Sequence, residues 1–92
     1  MKLDELYEII IKRKVEKPEK SYVADLFKQG RDRIIQKIGE EATEVVIASK
    51  NSSKERIISE STDLLFHLLI LFGEMGIGME DIYKELGKRK KK

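Results

Sequence analysis

The chain has 92 residues, of which 39% are charged and 40% hydrophobic, with a formal net charge of +2. This length fits one domain, expected over residues 1–92, and the share of apolar residues excludes an intrinsically disordered chain. Cysteine is absent, which excludes disulfides and thiolate metal sites and is typical of a reducing cytoplasm. The longest apolar run covers residues 64–72, whereas a membrane span needs roughly 20 residues.

Positive charge is concentrated at the end of the chain. Residues 88–92 are all Lys or Arg and carry +5, so the other residues sum to −3. We expect this basic tail to be solvated and frayed, and we expect no nucleic-acid partner, because the body lacks aromatic residues interleaved with basic ones. Acidic residues interrupt the apolar ones near the N-terminus, which is not the pattern of a signal peptide. We therefore predict a cytoplasmic protein without membrane contact.

Two short helices are predicted in the first third of the chain. Apolar residues at helical spacing predict the first helix over about residues 4–14. A polar loop, residues 16–20, surrounds Pro18. Ser21 suits the N-cap of the second helix, and Gly30 suits its end.

A third helix is predicted over about residues 31–50. The β-branched run at residues 45–47 favours a strand, but the longer period of 3.6 residues outweighs it. Gly39 inside this helix costs roughly 1 kcal/mol relative to Ala. It indicates close approach of another backbone or a ligand, with simple tolerance as the alternative.

The predicted fourth helix bears on the oligomeric state, and a fifth helix follows it. Ser52 and Glu55 fit a capping box for a fourth helix that runs to about Met75, and a fifth covers about residues 79–89. Residues 64–72 make the fourth helix apolar on nearly all sides, so it must be covered all round. A chain this short has little material for that. We therefore predict an all-α bundle of four to five helices that is completed by homodimerisation.

Four acidic residues form two spaced pairs, Glu41-x-x-Glu44 and Glu60-x-x-Asp63. They are symmetric about a predicted turn at residues 51–53. An antiparallel hairpin then brings Glu44 level with Glu60, and Glu41 level with Asp63. Four such carboxylates repel one another and are costly to desolvate, and a divalent cation removes both problems. Carboxylate oxygens are the ligands that Mg²⁺ or Mn²⁺ takes.

The position of these acids on their helices supports that interpretation. At about 100° per residue, Glu41 lies inside the apolar stripe of the third helix, and Asp63 lies on the core-facing side of the fourth. The alternative is a set of structural salt bridges with Lys37, Arg56 or His67. No Glu-x-x-His pair is present, which argues against a dinuclear iron site, and His67 by itself is more typical of a satisfied core histidine.

The chemistry that this pattern favours is hydrolysis by water activated by a metal ion. Lys37 lies one turn before Glu41 on the same side, where it can stabilise phosphate charge. The sequence contains no P-loop, and no nucleophilic Ser or Cys has an evident partner base.

Three stretches, residues 21–27, 37–48 and 60–69, carry a close resemblance to the phosphoribosyl-ATP pyrophosphatase family of the all-α NTP pyrophosphatase superfamily. The resemblance extends from about residue 3 to residue 86. It implies that phosphoribosyl-ATP is hydrolysed to phosphoribosyl-AMP and pyrophosphate, a step of histidine biosynthesis, with Mg²⁺ as the cofactor. Many relatives are fused to the cyclohydrolase that acts next, and this chain is expected to be free-standing.

The resemblance also implies roles for individual residues. It implies metal binding by Glu41, Glu44, Glu60 and Asp63, and it matches Glu40 to an additional family acid. Either Glu40 or Glu44 is expected to accept the proton from water. Two alternatives stay open at this point: a pyrophosphatase of the same superfamily that acts on a dNTP, and a non-catalytic helical dimerisation module.

Overall fold

Five α-helices make up the described part of the fold. The structure is a computed structural model that describes residues 1–51 and 53–91, and these residues contain no strand. The predicted all-α class is confirmed, and the run at 45–47 is helical. The helices are α1 (Leu3–Glu16), α2 (Tyr22–Gln29), α3 (Arg31–Lys50), α4 (Lys54–Met75) and α5 (Met79–Arg89).

Local capping chemistry explains most of the helix ends. The side chain of Ser21 accepts a hydrogen bond from the backbone N–H of Ala24 at 3.1 Å, as predicted for the N-cap of α2. The predicted cap of α4 was wrong by one residue, because Ser53 is its N-cap; Ser52 lies outside the described residues. The first helix continues past the predicted boundary to Glu16. The residue that follows, Lys17, has a left-handed backbone conformation and caps the helix.

The centre of the fold is the pair formed by α3 and α4, which fold back on one another and make the most extensive contact of any two helices. Both α1 and α2 pack against this pair. This hairpin brings the pair of acidic residues on α3 next to the pair on α4. Side chains from all five helices meet in one core, which contains Ile10, Val23, Leu26, Ile34, Leu69, Ile70 and Met79.

One face of α3 carries small or apolar residues that the described part of the chain leaves exposed or only partly covered. Ile35, Gly39, Ala42 and Val46 follow one another at helical spacing, and we call them the α3 stripe. Val46 is 62% exposed and Ile35 49%. A Cβ atom built on Gly39 would meet no atom within 4 Å, so space is open above the middle of the stripe.

The fifth helix holds part of the basic tail. Lys88 and Arg89 lie in its last turn, and Arg89 Nε lies 3.0 Å from Glu85 Oε2. The predicted frayed terminus is therefore helical at these two residues, and Lys92 lies outside the described part of the chain.

Within the described ranges, no single helix is both long and apolar enough to cross a membrane. Helices α4 and α5 meet that requirement only when they are taken together, and they are bent by 114° at the break between them.

Candidate active site

Three carboxylates from the two central helices come together at one end of the site. Glu41 of α3 and Glu60 and Asp63 of α4 each place one oxygen within 4.8 Å of the other two. We call these residues the acidic cluster. Glu41 is only 12% exposed, as its place in the apolar stripe predicts. Asp63 is exposed, contrary to the prediction of a core-facing position. The cluster therefore opens to solvent on the Asp63 side.

A lysine lies against the cluster on α3. Lys37 Nζ is 3.4 Å from carboxylate oxygens of both Glu40 and Glu41. Partial burial by itself lowers the pKa of Lys37, but Tyr22, Glu41 and Glu40 outweigh it and raise the pKa above the ordinary value. Lys37 is therefore a fixed positive charge beside the acidic cluster at neutral pH.

The fourth predicted metal ligand lies apart from the other three. Glu44 Oε2 is 3.6 Å from Arg56 Nη2, and both side chains are about half exposed. This ion pair is one of the salt bridges that the sequence left open as an alternative. An exposed pair of this kind stabilises a fold by less than about 1 kcal/mol, so Glu44 can leave Arg56 at small cost.

Glu40 is held by groups from its own helix. Its carboxylate lies 3.4 Å from Lys37 Nζ and 4.0 Å from Arg33 Nη1, and it accepts a hydrogen bond from Gln36. Lys37 links Glu40 to the acidic cluster, because its ammonium group contacts the carboxylates of both Glu40 and Glu41.

The donor set of the acidic cluster fits a hard divalent cation. All three side chains offer carboxylate oxygens, which Mg²⁺ and Mn²⁺ prefer. Oxygens bound to Mg²⁺ at about 2.0–2.1 Å lie at most roughly 4.2 Å apart, so a separation of up to 4.8 Å needs only a small inward shift. An exposed aspartate and a half-buried glutamate have the freedom to make that shift.

A hydrogen-bonded chain beside the cluster was missed by the sequence reasoning. His67 Nδ1 lies 2.7 Å from the backbone oxygen of Asp63, and Nε2 lies 2.7 Å from the hydroxyl of Tyr22. A carbonyl oxygen only accepts, so Nδ1 donates, and Nε2 of the neutral ring accepts from the Tyr22 hydroxyl. His67 is buried with both nitrogens bonded, which agrees with the prediction of a satisfied core histidine.

The hydrogen bonds from Tyr22 to His67 and from His67 to Asp63 hold the aromatic ring of Tyr22 in place. Tyr22 is 50% exposed and stacks on Phe66 with 6.4 Å between ring centroids. Burial raises the pKa of the Tyr22 hydroxyl, Lys37 acts against that shift, and Asp63 adds to it. The only sequence signal for Tyr22 was its place in a stretch that carries the family resemblance.

An all-α hairpin that gathers carboxylates beside a lysine defines a class of protein suited to phosphate chemistry with a divalent cation. Residues 3–90 match the family described as phosphoribosyl-ATP pyrophosphohydrolase. The chain belongs to that family, and this confirms the resemblance found in the sequence.

Individual relatives agree with this assignment. The phosphoribosyl-ATP pyrophosphatase of Leptospira biflexa is 55% identical over 84 residues, which are 91% of each chain. That of Geobacter sulfurreducens is 51% identical over 87 residues, or 95% of this chain and 81% of the relative. The histidine biosynthesis bifunctional protein of Caldanaerobacter subterraneus is 53% identical over 90 residues. The match covers 98% of this chain but only 44% of that longer protein.

Proposed function

We propose that this protein hydrolyses phosphoribosyl-ATP to phosphoribosyl-AMP and pyrophosphate in the cytoplasm, as a step of histidine biosynthesis. The observation that carries the proposal is the acidic cluster with Lys37 beside it, on the helical hairpin of a chain in this family. The relatives named phosphoribosyl-ATP pyrophosphatase support the choice of substrate.

Mg²⁺ is the proposed cofactor, with Mn²⁺ as a substitute. Glu41, Glu60 and Asp63 would hold the ion, and Glu44 would join them as a fourth ligand after leaving Arg56. A bound ion of this kind supplies positive charge that neutralises phosphate oxygens and lowers the pKa of water.

The remaining steps fall to side chains of the protein. The Lys37 ammonium stabilises negative charge on the phosphates as the α–β phosphoanhydride bond breaks and pyrophosphate leaves. Water supplies the new oxygen, and its proton passes to a carboxylate, either Glu40 or Glu44. Glu40 is already next to Lys37, whereas Glu44 must first separate from Arg56.

The test of this function is pyrophosphate release from phosphoribosyl-ATP with and without Mg²⁺. We expect turnover with Mg²⁺ and loss of turnover in excess chelator, with recovery when Mg²⁺ is restored. Strong turnover of dNTPs with none of phosphoribosyl-ATP would contradict the proposed substrate. No turnover of either, together with no effect of Mg²⁺ on melting, would instead favour a non-catalytic dimerisation module.

A homodimer that packs on the α3 stripe is part of the proposal. In such a dimer the exposed side chains of Ile35 and Val46 would be buried against the partner. The small residues Gly39 and Ala42, which lie between Ile35 and Val46 on the stripe, would let a second helix approach closely.

Val46→Glu tests this arrangement. A buried carboxylate without a partner is costly, so we expect the variant to sediment as a 10.7 kDa monomer at micromolar concentration, whereas the parent sediments at twice that mass. Val15→Glu is the matched control, because Val15 is 73% exposed on α1, away from the stripe. A parent that sediments as a monomer would contradict the dimer.

A further inference from the structure

A cleft of about 940 Å³ lies on the α2 side of the fold, where the end of α1, the loop after it and α2 meet the end of α4. Four of its lining residues are lysines from α1, the loop and α2, and we call it the lysine cleft. These lysines are Lys14, Lys17, Lys20 and Lys28.

One of the four ammonium groups is anchored in the wall. Lys14 Nζ donates a hydrogen bond of 2.8 Å to the backbone oxygen of Gly73 and lies 5.5 Å from the centre of the Phe27 ring. A carbonyl and an aromatic face hold the ammonium without neutralising its charge. Lys14 is also half-buried, so its charge is less screened by water than that of a free surface lysine.

Three acidic residues also line the cleft. Asp25 accepts a hydrogen bond of 2.7 Å from the side-chain amide of Gln29, and Glu74 pairs with Arg31 at 4.0 Å. Glu19 is the third acid of the lining, on the exposed loop. Four lysines against three acids, of which Glu74 also faces Arg31, give the lining a net positive charge that favours anions.

The cleft is linked to the acidic cluster through Tyr22. Tyr22 lines the cleft, and its hydroxyl donates to His67, whose ring in turn donates to the backbone of Asp63. Tyr22 therefore connects the lining of the cleft to the backbone of one residue of the acidic cluster.

We propose that the lysine cleft binds the phosphate monoester at the ribosyl end of the substrate. This proposal rests on the proposed function, because phosphoribosyl-ATP carries a triphosphate at one end and a sugar phosphate at the other. The triphosphate goes to the acidic cluster and Lys37, which leaves a second phosphate that needs cations of its own. Tyr22, which lines the cleft and is fixed by His67, would present its exposed ring to the part of the substrate that joins the two phosphate groups. The cleft thereby distinguishes phosphoribosyl-ATP from ATP, which lacks this second phosphate.

The test is the triple variant Lys17→Gln, Lys20→Gln, Lys28→Gln, which removes three charges at exposed positions and leaves the anchored Lys14 in place. We expect KM for phosphoribosyl-ATP to rise at least about 10-fold with kcat within about 2-fold, since these lysines act on substrate binding and not on the reacting bond. Ribose 5-phosphate, used as the probe, is expected to inhibit the parent competitively and the triple variant at least about 10-fold more weakly.

The control carries Lys12→Gln, Lys84→Gln and Lys88→Gln, three exposed lysines outside the cleft lining, and both constants should match the parent. Melting curves of both variants establish that they are folded. An unchanged KM in a folded cleft variant would overturn the cleft proposal while the proposed function stands. A parent that releases no pyrophosphate from phosphoribosyl-ATP would overturn the proposed function and this inference with it.

Discussion

Asp63→Asn is expected to lower kcat/KM for pyrophosphate release by about 10²–10³-fold at saturating Mg²⁺. The substitution keeps the size of the side chain but removes one of the three negative charges that lie within 4.8 Å of one another. The variant should also lose the rise in melting temperature that Mg²⁺ gives the parent, because a ligand that binds only the folded state stabilises it. Without Mg²⁺, its melting temperature should equal or exceed that of the parent, since repulsion inside the cluster is relieved.

Asp32→Asn provides the matched control for this experiment. Asp32 is exposed in the first turn of α3, outside the acidic cluster, and its replacement should leave both activity and the Mg²⁺ effect intact. Full activity of Asp63→Asn at saturating Mg²⁺ would contradict the proposed metal site.

Turnover and the Mg²⁺ effect on melting temperature together distinguish carboxylates that bind the metal ion from the carboxylate that accepts the proton. Glu41→Gln should behave as Asp63→Asn does, with loss of both turnover and Mg²⁺ stabilisation. A variant that keeps Mg²⁺ stabilisation but loses turnover identifies the carboxylate that accepts the proton, and Glu40→Gln and Glu44→Gln are the two candidates. Full activity in Glu44→Gln would remove Glu44 from the site altogether.

Ile70→Ala is expected to cost about 2–5 kcal/mol of unfolding free energy. Ile70 is 0% exposed in the C-terminal half of α4, so the substitution removes buried apolar atoms and leaves a cavity among side chains from several helices. A domain of this size is stable by only about 5–15 kcal/mol, so one such loss removes a large part of the total. Denaturant unfolding measures it directly.

Leu86→Ala is the control for the core prediction. Leu86 is 57% exposed on α5, and its truncation leaves no enclosed cavity, so the loss should stay below about 1 kcal/mol. Equal losses in Ile70→Ala and Leu86→Ala would contradict the assignment of the core.

Helices and their order were predictable because the signals for them are local. A side chain such as Ser21 caps the helix that follows it, and apolar spacing of 3.6 residues reveals helical faces even across the β-branched run at 45–47. The cap of α4 was misplaced by one residue because adjacent serines carry the same signal, and the backbone of Ser53 has the extended conformation of an N-cap.

The candidate site was predictable in part. Symmetric spacing about the turn was enough to bring Glu41, Glu60 and Asp63 together, because a hairpin of two helices relates positions on either side of its turn. The same counting placed Glu44 with them. In the structure Glu44 forms a salt bridge with Arg56. The sequence is compatible with this salt bridge and also with a position of Glu44 among the other three acids.

What the sequence determined by itself is therefore the helices, their hairpin and the residue types that the site offers, since each follows from spacing along the chain. Only the tertiary structure decided the exposure of Asp63, the link from Tyr22 to His67 across 45 positions and the gathering of lysines from α1, α2 and the loop between them. Such features depend on the distances and angles at which separate helices pack, and those are set by the shapes of many core side chains together.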